Sequence, residues 1–161
     1  MAKRLYTRLA LTAATVLFFA APAMAQRPLG FDQLPKSGVV NYQGTLTSTD
    51  FSTPIQFTVD FSAGTLAASL TIPLLANGEF SAGPQGLGLH ANIDTQGGFL
   101  AWTNNFFVQE QAALFLAGNF FGGGAKEVAG TFVLQLCNNA TTELCPQNPL
   151  TRLGSFDARA P

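Results

Sequence analysis

The chain has 161 residues, 47% of them hydrophobic and only 11% charged, with 8 Lys and Arg against 9 Asp and Glu. Three of the eight basic residues, Lys3, Arg4 and Arg8, fall in the first 25 positions, which hold no acidic residue, leaving five basic against nine acidic beyond them, a net charge of −4. That balance excludes nucleic acid and an anionic membrane surface as partners, and the length allows one domain with a single core.

The elements follow in chain order. A basic start, an apolar run from Leu9 to Ala21 and the small-x-small triplet Ala23-Met24-Ala25 predict a signal peptide over residues 1–25, with Gln26 as the new N-terminus. A membrane anchor is the alternative, but the apolar run is short of the ~18 residues a span needs. Residues 26–37 contain proline and lack periodicity, so they are expected to be a flexible lead-in.

From residue 38 onward the signals are those of strands. Val40, Tyr42, Gly44 and Leu46 alternate with polar residues, as do Ile55, Phe57, Val59 and Phe61. Ser62-Ala63-Gly64 turns the chain into Leu66, Ala68, Leu70 and Ile72. Pro73 and Asn77-Gly78 mark the next reversal, and Glu79 to Gly86 fits neither pattern. Leu87, Leu89, Ala91 and Ile93 alternate again, and Thr95-Gln96-Gly97-Gly98 leads into Phe99 to Thr103. Asn104 and Asn105 are expected to open a loop ending at Phe106 and Phe107, before a strand from Gln111 to Asn119. Gly122-Gly123-Gly124 then permits a sharp reversal. Ala125 to Val128 has room for one helical turn, and Val128 to Leu136 and Arg152 to Ala158 complete the count. Eight strands with short connections predict an all-β fold, a single eight-stranded antiparallel up-and-down β-barrel with one short helical turn.

The cysteines are Cys137 and Cys145. In an oxidising exported compartment they are expected to form a disulfide closing a loop; a reactive or metal-binding pair would lack supporting His or Cys.

The segment G-N-F-F-G-G-G-A-K-E-V-A-G-T-F, Gly118 to Phe132, resembles the signature of the β-barrel domains of transferrin-binding protein B and its relatives. Gly118, Phe120, Phe121, Gly122, Ala125, Glu127, Val128, Gly130, Thr131 and Phe132 match it, although Gly123-Gly124 replaces the usual proline-containing pair. Asn41-Tyr42-Gln43-Gly44-Thr45-Leu46, Val59 to Leu66 and Gly154 to Arg159 are similar to the family's opening strand, its early hairpin and its closing strand. The resemblance covers about residues 38–159, within a domain taken as 38–161. It implies a non-enzymatic binding protein of a Gram-negative envelope, periplasmic, at the cell surface or released, with an outer-membrane export partner. Its ligand would be a protein or an iron-related small molecule; the rival functions are a carrier of haem or another small ligand in the barrel interior and a structural envelope module.

Candidate chemistry is sparse. His90 is the only histidine and alternates out of phase with Leu87, Leu89, Ala91 and Ile93, which places it on the outer face. The rival assignment is a haem ligand, with Tyr42 as the other possible donor; otherwise no cofactor and no metal site is indicated. Asp60 and Glu127 are the carboxylates to weigh for acid–base work, but Asp60 adjoins a turn and Glu127 falls in the expected short helical turn, where structural roles suffice. Gly122-Gly123-Gly124 lacks the Lys-Ser/Thr of a phosphate loop. Around Phe99 to Phe121 both faces of the strands carry apolar groups, more than a barrel interior can bury. Trp102, Phe106 and Phe107 are therefore the expected partner-binding residues.

Overall fold

The structure, a computed structural model, describes residues 26–72, 85–107, 110–138 and 150–161. Its strands are β1 (Val39–Ser48), β2 (Ser52–Asp60), β3 (Thr65–Ile72), β4 (Gln85–Asn92), β5 (Gly98–Phe107), β6 (Glu110–Phe121), β7 (Glu127–Asn138) and β8 (Leu150–Arg159). Each pairs antiparallel with its sequence neighbours, and β8 returns to β1, from Gln43↔Arg159 to Ser48↔Gly154, closing the barrel in the order β1 to β8. The eight-stranded all-β expectation therefore holds. Closure also removes the free edges that an open sheet would present.

The period-two pattern explains which side chains go inside. Along β2 burial alternates without a break, with Ile55, Phe57 and Val59 buried between exposed Gln56 and Thr58. Aromatic rings fill the interior. Phe57 of β2 meets Phe99 of β5 at 6.1 Å, Phe99 meets Phe156 of β8 at 6.2 Å, and Tyr42 of β1 meets Phe120 of β6 at 6.2 Å. These strands are not adjacent, so the contacts cross the barrel. An eight-stranded barrel is narrow enough for side chains to fill in this way. Room for the rings comes from the paired glycines Gly118 and Gly130, at whose positions a Cβ would run into the rim of Phe156.

Two local features differ from expectation. The helical turn is absent from Ala125 to Val128 and is found instead as a 3-10 turn at Phe31–Gln33. Gly122 (φ 74°), Gly124 (φ 75°) and Ala125 (φ 55°) are left-handed, which a right-handed helix excludes, and Ala125 N–H closes a tight turn on the Gly122 carbonyl at 3.0 Å. The loop expected at Asn104-Asn105 is also absent. Both residues continue β5, opposite Ala113 and Ala112, so Phe106 and Phe107 are strand residues rather than loop residues. Hairpin pairing to β6 carries the strand past two residues of weak strand propensity.

The lead-in, aperiodic in sequence, closes one end of the barrel. Leu29 N–H donates to the Phe120 carbonyl at 2.9 Å, and Leu34 is buried in the core cluster. Gly97 is required beneath this segment, because its φ is 84° and a Cβ there would press on the Leu29 carbonyl and Phe31 amide. At the same end, the Tyr42 hydroxyl donates to the Ala125 carbonyl at 2.6 Å and ties β1 to the Gly-rich turn. No helix among the described residues is long and apolar enough to cross a membrane. The expected signal peptide and the Cys137–Cys145 disulfide lie outside the described residues, since residues 1–25 and Cys145 are not among them.

Candidate functional site

The outside of the barrel has two unlike halves. On β1 to β4 the outward positions are mainly polar, with Asn41, Gln43, Gln56, Thr58 and Ser69 exposed. On β5 to β8 the register aligns a different set. Trp102 lies opposite Phe115, Phe115 opposite Val133, and Val133 opposite Leu153. This single row of apolar side chains crosses four consecutive strands. Leu100, one outward step from Trp102, extends it, and its neighbours Ala117, Thr131 and Ser155 are small and uncharged.

Exposure separates this row from ordinary surface. Leu100 is 66% exposed, Trp102 62%, Leu153 49% and Phe115 39%. Of the six large hydrophobic side chains that stand exposed among the described residues, these four share one face. Singly exposed apolar residues are normal on any protein, whereas contiguous ones mark a contact surface.

Each predicted site residue can now be placed. Trp102 lies on the seam between β4 and β5, directly opposite His90. That seam has the sparsest pairing of the barrel, His90↔Trp102 with the bridge Ile93↔Phe99. His90 is exposed, as its alternation predicted, and borders an open groove of about 500 Å³ with Thr58, Asp60, Thr65 and Asn92, over the small side chain of Ala67. Phe106 and Phe107 occupy the register positions opposite Gln111 and Glu110, and their side chains lie outside the described residues.

Tyr42 is on the other side of the sheet from His90. It is fully buried, and burial pushes its phenol up to about 12. The structure therefore brings Trp102 and His90 together and keeps Tyr42 apart from both.

The two weighed carboxylates have structural partners. Asp60 accepts from the Ser62 and Ala63 amides at 2.9 and 3.1 Å, which fixes the β2–β3 turn. Glu127 pairs with Arg159 at 3.1 Å across the β7–β8 ladder. Among the described residues no group of three or more His, Cys, Asp or Glu is placed to hold a metal ion.

Sequence reasoning missed Val133 and Leu153. Their signal was present: each is an apolar residue at an outward position of its strand, Val133 between buried Phe132 and Leu134. Only the register shows that they continue the line from Trp102 and Phe115. No family model matches the chain, and no curated protein matches it.

Proposed function

We propose that this chain is an exported, non-enzymatic docking protein of a cell envelope, with a barrel of the transferrin-binding protein B kind. Its working surface is the outer face of β5 to β8. The observation that carries this is the Trp102–Phe115–Val133–Leu153 row, which spends exposed apolar area on a face the fold does not need for its core. Tryptophan and phenylalanine are the side chains that most efficiently anchor a protein partner. The ring contacts crossing the interior favour the outer surface over the inside as the place of recognition.

The same resemblance supports the periplasm, the cell surface or release as the destination, with an outer-membrane protein as the export partner. A photo-cross-linking residue in place of Phe115 tests this in producing cells. The expected result is a discrete adduct, absent when the same residue replaces Gln56 on the polar half. Equal labelling from both positions, or none from either, would refute the assignment of the face.

A further inference from the structure

We infer that the partner seated on the β5–β8 face is a second copy of this chain, an inference that rests on the docking function proposed above. Three observations on that face converge on a self-association.

The first is charge. No described outward side chain in the row or directly flanking it is charged; the nearest charged one on β8, Asp157, lies one outward position beyond Ser155. The chain beyond residue 25 nevertheless holds five basic and nine acidic residues. A face built for an unlike partner ordinarily uses charge for steering and selectivity. Between identical copies a charged group on or near the two-fold axis meets its own kind, and a row uncharged through its middle avoids that repulsion.

The second is size order. Rings occupy one end of the row, Trp102 and Phe115 on β5 and β6. Smaller side chains occupy the other, Val133 and Leu153 on β7 and β8. A two-fold axis through the middle of the row reverses the partner's order. It sets each ring against a smaller side chain, Trp102 facing Leu153 of the other copy and Phe115 facing its Val133. Large-against-small apposition is how sheet faces interdigitate when they pack.

The third is area. A fully exposed large side chain offers on the order of 200 Å². The exposures of Leu100, Trp102, Phe115 and Leu153 therefore amount to roughly 450 Å² per copy. Two copies with their small flanking side chains would bury at most about 1,200 Å², the lower end of the range for specific interfaces. Area alone does not set affinity, so the association is sought across the micromolar range.

Trp102 is the only tryptophan in the chain, so its emission reports on this face alone. The test is sedimentation velocity together with acrylamide quenching of Trp102. It uses the chain from Gln26, which contains every strand of the barrel, over about 0.1 to 500 µM, a span that brackets micromolar affinity. The expected result is a rise in sedimentation coefficient from monomer to dimer, accompanied by a blue shift and protection of Trp102. Phe115→Lys and Leu153→Lys should each weaken the association at least tenfold, while Gln56→Lys on the polar half leaves it unchanged. A dimer at all concentrations with Trp102 protected, turned monomeric by both lysine variants, supports the inference equally.

A monomer at every concentration with freely quenched Trp102 overturns the second copy and leaves the docking face available to another protein. A monomer whose Trp102 is already protected overturns both, because the chain then covers its own face. A dimer with freely quenched Trp102 places the interface elsewhere and also overturns the inference.

Discussion

Tyr42 offers the sharpest test of how the barrel end is built. It is the only tyrosine beyond the first 25 residues, so a phenolate titration of the chain from Gln26 reads this one group. Its hydroxyl is buried and donates to the Ala125 carbonyl at 2.6 Å. Tyr42→Phe removes the donor and leaves a buried carbonyl without its partner, a cost of about 1–3 kcal/mol. For a domain of this size that lowers the melting temperature by roughly 5–10 °C.

The pH dependence follows from the same burial, which raises the phenol from 10.0 to about 12 in the folded state. Between these values the unfolded chain releases its proton while the folded protein keeps it, so the unfolded state binds fewer protons and stability falls as pH rises. The contribution is fully present below pH 10 and declines through about pH 12 by roughly 2–3 kcal/mol in all. Near-ultraviolet absorbance at increasing pH, with urea unfolding curves at each step, measures both effects. Tyr42→Phe should flatten the alkaline decline as well as lower the plateau. Phenolate appearing near pH 10 in the folded protein would refute the buried hydroxyl and its bond to the turn.

Three other outcomes are expected. Phe99→Ala removes a ring that touches Phe57, Phe120 and Phe156 at once, and should cost about 3–5 kcal/mol in urea unfolding. Gly118→Ala places a Cβ 2.8 Å from the ring tips of both Phe99 and Phe156, so it should destabilise by about 1–3 kcal/mol, read as a lower midpoint with unchanged slope. Hemin added to the chain should give no saturable Soret shift that His90→Ala removes, because His90 and Tyr42 lie on opposite sides of the sheet; absorbance titration of both proteins checks this.

Most of the fold was legible because period-two alternation is a local signal. Ile55, Phe57 and Val59 announce their strand without reference to anything distant. Where the strand depends on its partner, legibility fails. Asn104 and Asn105 look like a loop alone and become strand only through pairing with Ala113 and Ala112. Ala125 looks like a helix former, yet the adjoining glycines put it at φ 55°, where the Tyr42 bond meets its carbonyl. Leu34 gave no pattern, since a plug made by one side chain has no period.

The candidate site shows the same division. Trp102 and the doubled apolar character around it were readable, and so was the outward placement of His90. The continuation through Val133 to Leu153 was not, because an alignment across four strands is a property of register.

The most direct measurement of the central claim is the ¹⁹F spectrum of the chain carrying 5-fluorotryptophan, which gives one line from Trp102. In the monomer that line should show a full solvent isotope shift, and at high protein concentration or in an extract of the producing cell's envelope it should move and lose that shift as a partner covers the face. A line that lacks the isotope shift while the chain sediments as a monomer, or that keeps it both at high concentration and in the extract, would contradict the outer face of β5 to β8 as the docking surface.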